Sequence, residues 1–464
     1  MYRKNDGQMH IFDLTLSDTF ELDPNNRWIK RAHLVPWEKA EEKYSHMFQK
    51  NGRPAKDIRI ALGALLIKDY LQCSDEETVQ SISEQPYLQY FIGLKKFTNQ
   101  RPFDPSLMVW FRKRLSAKFM SELNEAMCKA EAQPEIETPP ENDDDDPHGG
   151  TLIVDATCTP ADIKYPTDTG LLAEAVEKVD CLIDIMQEPL KGISPRPRTY
   201  RKNSRKLYVG FTRNRKPNAK TIRKVKGKLL NYLKRNLRAA HRMLNDGNEL
   251  NAKQMELLQI IEKLFAQQQE MYDKKTTSVE DRIVSISQPH LRPVVRGKAG
   301  TPVEFGAKVN ISVVNGYVFL DELSYDPFYE GNLLKEAIAN YKNRFGMLPA
   351  KIQVDKSYTS RENRKLCKEL GIKLMGKPLG RPPKGTTSTI CKKDIGERNE
   401  IEGKIGTLKT SYGWQRIMAR LPETGKSVIT VSILAMNLAK RAKSLLRNLQ
   451  NWCFYQKFPA TAAS

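Results

Sequence analysis

The chain has 464 residues, 39% hydrophobic and 28% charged, which is enough for a full-sized core and more than one domain. Its 76 Lys and Arg outnumber 55 Asp and Glu, and the resulting +21 charge points to a polyanionic partner, nucleic acid first. A membrane span and a secretory leader are not expected. The longest apolar run, Val428 to Ala439, is short and broken by Thr430, Ser432 and Asn437, and Met1 to Gln8 is polar.

The expected location is therefore cytoplasmic, in association with the nucleoid. Seven scattered Cys with no Cys-x-x-Cys pair suit reduced thiols. Six His with no i, i+4 pair leave carboxylates as the ligands for any metal, which favours Mg2+ or Mn2+.

Residues 1–130 read as an all-helical N-terminal domain for DNA binding or dimerisation. Ile58, Leu62, Leu65, Leu66 and Tyr70 repeat at helical spacing. Ser74 with Glu77 forms a capping box, and Asp104-Pro105 opens a helix that carries Trp110 and Phe111 beside Arg112, Lys113 and Arg114. Residues 131–150, with Pro134, Pro139, Pro140 and Asp143 to Asp146, form an acidic linker, since a run of like charge and Pro does not pack.

Residues 151–425 are expected to hold an α/β domain. Thr151 to Asp155 is a buried strand that delivers Asp155 at its C-terminal end. An insertion at about 171–280 follows. From Lys191 to Ala240 it carries 18 Lys or Arg and no acid. Ile222, Val225, Leu229, Leu233 and Leu237 place one helix there, and Leu250 to Tyr272 a second. The pair reads as an antiparallel helical hairpin whose basic arm either lies on DNA or mediates dimerisation.

The sheet is expected to resume at Arg282 to Ile286 and then in a hairpin about Asn315-Gly316, flanked by Val309-Ile311-Val313 and Tyr317-Phe319. A helix over Asn332 to Phe345, a strand over Lys351 to Asp355, a helix over Arg361 to Leu370 and a strand over Ile372 to Met375 complete the pattern. Met375 to Glu397 is a basic loop in which Gly380-Arg381-Pro382 suits an A/T-rich minor groove. Residues 426–464 form a C-terminal helix and tail. This order describes a mixed sheet flanked by helices, that of an RNase H-like domain.

The most telling stretch is Arg398 to Lys409. As a helix it sets Arg398, Glu402 and Lys409 within about 40° of one another. Glu400 falls about 160° to 200° away, which selects Glu402 as the acid of that face. If Asp155, Asp355 and Glu402 met without a cation, carboxylates about 4 Å apart would repel by about 4 kcal/mol per pair at an effective dielectric near 20. One or two divalent ions in an oxygen-only site remove that cost and suit phosphoryl transfer.

These residues resemble the DDE-type transposases of bacterial insertion sequences. The likeness rests on Val154-Asp155-Ala156-Thr157, on Val354-Asp355-Lys356-Ser357-Tyr358, and on the Arg-x3-Glu-x6-Lys signature at Arg398, Glu402 and Lys409. Arg292 to Lys298 and Glu304 to Lys308 resemble a subgroup of the family. The resemblance implies that Asp155, Asp355 and Glu402 are catalytic and bind about two metal ions. Arg398, Lys409, Lys356, Tyr358, Arg296, Lys298 and Arg381 would then meet DNA.

It also implies binding of terminal inverted repeats, strand cleavage at the element's end, and attack of the freed 3′-hydroxyl on target DNA by a dimer that pairs two ends. Two features depart from the family. The Tyr often found three residues before the signature Arg is Ile395 here, so its role is either absent or supplied by Tyr358 or Tyr412. The insertion follows the first Asp, whereas several relatives insert between the second Asp and the Glu, so its role does not carry over.

Overall fold

Caps written into the sequence delimit the N-terminal helices. In the computed structural model, which describes residues 21–48, 54–138, 146–295, 303–376 and 392–457, Asn26 accepts from the Trp28 N–H to open α1, Arg27–Leu34. After α2, Trp37–Ser45, Asp57 caps α3, Ile58–Leu71, whose nearly uninterrupted apolar character fits a helix buried on most sides. Ser74 accepts from the Glu77 N–H at the start of α4, Asp75–Glu84, and Pro86 is the first residue of α5, Pro86–Phe91. The next helix, α6, spans Leu107–Arg114, and Ser116 caps α7, Ala117–Ala132. Asp104 and Pro105 sit in the turn before α6, with Asp104 accepting from the Ser106 N–H.

The ends of the acidic segment pair as two short strands, β1, Ile136–Thr138, and β2, His148–Gly149; residues 139–145 lie outside the described residues. β3 then runs over Thr151–Pro160, five residues beyond the expected end at Asp155.

Between β3 and the rest of the sheet the chain builds a helical bundle from α8, Asp168–Gln187, α9, Arg201–Thr212, α10, Ala219–Asn245, and α11, Ala252–Asp273. The expected hairpin is thus only its second half. Leu171, Leu172, Ala175, Val176 and Val179 give α8 a buried stripe that packs with Leu229, Leu233, Leu237, Ile261 and Leu264. This bundle, with the residues up to Ala307 and with Tyr325–Pro327, forms one of two compact units.

Arg282 to Ile286 is not a strand. Ile283 and Ile286 are buried in the bundle's core, and the Gln267 side chain stands where a strand partner would, accepting from the Ile283 N–H at 3.0 Å and donating to the Glu280 and Asp281 carbonyls. Within the same unit β4, Arg292–Val295, pairs antiparallel with the first residues of β5, Val303–Val314.

The other unit contains everything before Ala161, then Lys308–Ser324 and Phe328 onward. Here β5 turns through Asn315-Gly316 into β6, Tyr317–Ser324. Both turn residues are left-handed, at φ 48° and 76°, as a two-residue hairpin turn requires. α12, Leu334–Phe345, β7, Lys351–Val354, α13, Arg361–Glu369, β8, Lys373–Met375, α14, Lys392–Ser411, and α15, Pro422–Lys457, follow in the expected order. The sheet of this unit runs β6-β5-β3-β7-β8, antiparallel in the hairpin and parallel from β3 through β8. That mixed sheet flanked by helices is the RNase H-like arrangement.

The N-terminal helices share its core: Leu66, Phe111, Leu152, Phe319, Tyr341 and Leu434 belong to one buried cluster. α15 is the centre of that packing, touching α1, α3, α6, α7 and β6. Its Asn437 also protects the sheet edge. Asn437 accepts from the Val318 N–H at 3.0 Å and donates to the Val318 carbonyl at 2.7 Å and to Asn124 Oδ1 at 2.8 Å, while Asn124 donates to the same carbonyl at 3.0 Å. Two buried amides from α7 and α15 thereby satisfy an edge strand that has no further strand beside it among the described residues. Asn437→Leu leaves the Val318 N–H buried and unpaired, and the urea midpoint is expected to fall by the equivalent of about 2 kcal/mol. A change under about 0.5 kcal/mol would mean the edge is not held by this amide.

Candidate active site

The parallel ladder between β3 and β7 sets the first two acids. Val154 and Val354 are Cα partners, so the next residues, Asp155 and Asp355, emerge side by side where the pairing ends. This is the C-terminal edge of the parallel strands, where open α/β sheets place their ligands. β3 continues past Asp155, whereas the chain leaves β7 after Val354 and turns through a short 3-10 segment, Lys356–Tyr358.

α14 packs against both strands. Its Arg398 reaches Asp355 Oδ1 at 3.4 Å and, one helical turn on, Glu402 Oε1 at 3.5 Å. These are ionic contacts rather than tight hydrogen bonds. Glu400 points elsewhere: a Cβ placed on Gly316 would lie 2.9 Å from its Oε1, at the hairpin turn. Arg398 therefore links the second Asp to Glu402.

Asp155 is the most enclosed of the acids. Burial pushes its carboxyl up to about 6, opposed by the Ala156 N–H that it accepts at 2.8 Å and by the Arg398 charge, and reinforced by the negative charges of Glu330 and Asp355. A carboxyl so placed gains from any cation brought among these oxygens.

Glu330 is the group that sequence reasoning missed. It follows β6 at the start of the turn into α12, ion-paired with Lys308 of β5 at 3.0 Å and accepting from Ser357 Oγ at 3.0 Å. Lys308 also donates to the Phe328 carbonyl at 2.8 Å. Nothing local in the sequence separates Glu330 from an ordinary acid in the first turn of a helix; only the proximity of β5, the Lys356–Tyr358 turn and Asp155 gives it meaning.

The remaining expected residues divide. Lys356 is exposed beside Asp355, and Lys409 is half-buried on α14. Tyr358 cannot meet DNA as expected: it is fully buried and its hydroxyl donates to Asn310 Oδ1 at 2.6 Å. Tyr412 packs edge-on against Tyr70, with ring centroids 6.2 Å apart, so it too belongs to the helical core. Arg296, Lys298 and Arg381 lie outside the described residues, and for Ile395 only the backbone of α14 is described.

Among the described residues no three carboxylate, imidazole or thiol groups stand close enough to hold an ion as they are. The donors nonetheless fit a hard divalent cation in kind: they are all oxygens, and a positive group, Arg398, already stands between Asp355 and Glu402.

Comparison with known proteins gives this geometry its family. A family model described as "Transposase DDE domain" matches residues 352–439, which include Asp355 and Glu402, and one described as "Transposase domain (DUF772)" matches residues 17–114. The chain belongs to the DDE-type insertion-sequence transposases. The transposase is also 30% identical over 156 residues to the "Uncharacterized protein ORF8 in nfe locus" of Rhizobium meliloti, a match covering 34% of the present chain and 72% of that relative. Membership implies a DNA partner and phosphoryl-transfer chemistry on nucleic acid. No helix among the described residues of the transposase is long and apolar enough to cross a membrane.

The raised Asp155 carboxyl has a measurable signature in the metal-free transposase. An unfolded Asp titrates near 3.9, and the folded one holds its proton to about 6. Its contribution to stability is then complete below pH about 4 and is lost as pH rises to about 6, at about 1.4 kcal/mol per pH unit. Denaturant titrations over this range should show the fall in wild type and a flatter profile in Asp155→Asn. Parallel profiles would contradict the assignment. Glu330→Gln should move the midpoint to lower pH, read by NMR of the Asp155 carboxyl.

Proposed function

We propose that this transposase cuts DNA at the inverted-repeat ends of a mobile element and joins the freed 3′-hydroxyl to target DNA. The observation that carries the reading is the Arg398 bridge, which ties Asp355 at a strand end to Glu402 on α14 while Asp155 lies next to Asp355 across the ladder.

Asp155, Asp355 and Glu402 are the residues that would hold Mg2+ or Mn2+, two ions in the fullest form. The metal would supply charge neutralisation at the reacting phosphate and a lowered pKa for the attacking water or hydroxyl. The chain's own side chains do the rest. Arg398, released from its carboxylates as cations replace it, is placed to grip a phosphate by its planar fork. Lys356, exposed next to Asp355, supplies a second positive group, and Lys409, on the same helix, a third. Glu330, fixed by Lys308 and Ser357, adds negative charge beside Asp155, which draws positive charge to that end of the site.

Two DNA ends cut in concert would require two copies of the chain, so the working form is read as a dimer on DNA. The decisive experiment combines Asp355→Asn with end-containing and precut duplexes. Magnesium-dependent cleavage should drop by about a thousand-fold or more, as expected when several kcal/mol of transition-state stabilisation are removed, while DNA binding persists. Unchanged cleavage would remove Asp355 from the site. Wild-type enzyme should also join precut ends to a plasmid; cleavage without any joining would make the protein a nuclease.

A further inference from the structure

The helical bundle carries a one-sided row of exposed cations, and nothing in the active-site chemistry uses it. On α10, Lys220, Lys224, Lys228, Lys234, Arg238 and Arg242 are all exposed. At 100° per residue they fall within a sector about 120° wide. The opposite sector, with Val225, Leu229, Leu233, Leu237 and Ala240, is buried in the bundle.

None of the six makes an ion pair among the described residues, and several acids of the bundle are engaged with other cations. Asp168 holds Lys226 at 2.9 Å and Arg282 at 2.7 Å, Asp184 holds Arg196 at 2.7 Å and Arg201 at 2.5 Å, and Glu262 faces His241 at 2.7 Å. So many uncompensated cations on one rigid face are costly without a polyanion, since they repel one another.

We propose that the outer face of α10 is a phosphate-tracking surface that binds about one turn of duplex DNA. The choice of DNA rests on the transposase reading; the surface itself rests on the bundle's geometry. From position 220 to 242 the helix rises about 33 Å at 1.5 Å per residue. That is close to one turn of B-form duplex, about 34 Å, so the row of cations can follow phosphates along a groove edge. Self-association through this face would set its cations against their own copies across a two-fold axis, which disfavours a dimer interface here. Binding would be sequence-independent, because the row presents Lys and Arg tips at phosphate spacing rather than side chains poised over base edges.

The test uses the full chain and an arbitrary-sequence duplex of about three turns, with binding followed by fluorescence anisotropy across a KCl series. Each phosphate left without its cation should lower the slope of log K against log salt by about 0.9. Changing all six residues to Gln should therefore flatten the slope by about 3 to 5 and weaken binding at low salt by at least about tenfold. Two half-variants, K220Q/K224Q/K228Q and K234Q/R238Q/R242Q, should each produce about half of the change, and they keep the test readable if the full variant is unstable.

Far-UV circular dichroism checks that the helices persist. A slope within about one of wild type in both half-variants overturns the proposal. So does a variant that changes sedimentation from dimer to monomer with the slope intact, which would make the face a self-association surface. Magnesium-dependent end cleavage by the wild-type protein separates the two readings: if cleavage is present and the slope unmoved, only this surface fails.

Discussion

The site depends on one register. Val154 pairs with Val354 in a parallel ladder, and everything that follows at the C-terminal edge is a consequence of that match. Side chains alternate along a strand, so a slip of one residue would turn one of the two aspartates away from the other. Leu152, Ile153 and Ile352 are buried on both faces of this ladder, so a slip would disturb the packing on either side. The geometry of the candidate site is inherited from packing.

Bringing acids together creates mutual repulsion, and the protein offsets it with groups of different kinds. Arg398 is shared between Asp355 and Glu402, the Ala156 N–H supports Asp155, and Lys308 neutralises Glu330. The Lys308 partnership is enclosed, with that side chain only 13% exposed, while Glu402 and Asp355 stay open at 56% and 46%. The open end of the cluster is the one that faces solvent, where a phosphate and its cations would approach. The closed end holds its charges by fixed hydrogen bonds. Such a gradient, rigid inside and exchangeable outside, suits a site that must give up one cation for another.

Much of this was legible in the sequence. The Asn315-Gly316 hairpin, the strand at Lys351, the helix closed before Gly371 and the shared face of Arg398, Glu402 and Lys409 each rest on local signals that no tertiary packing overrode. The misses have physical reasons too. The apolar stripe of α8 from Leu171 to Met186 was overshadowed by the dense charge that follows it. Arg282 to Ile286 has a strand's composition, yet the Gln267 side chain, well upstream in the chain, supplies its hydrogen bonds. Tyr358 sits in a motif associated with DNA, but Asn310 of β5 claims its hydroxyl. Glu330 was invisible because its neighbours come from distant stretches of chain, and single-sequence patterns encode only near ones.

The bundle's entry and exit have a consequence for how the chain folds. The Ala161 N–H donates to the Phe305 carbonyl at 2.8 Å, so the two ends of this long excursion are clasped by a direct backbone bond. A flexible segment of that length would impose a loop-closure penalty on every sheet pairing that spans it. A bundle with its own core, formed by packing between consecutive helices, can condense first and quickly, and so present its two ends already close together. The slower steps would then be the pairings of β3 with β5 and with β7, which join distant stretches of chain. The interruption that splits the RNase H-like sequence in two is, in kinetic terms, a short connection.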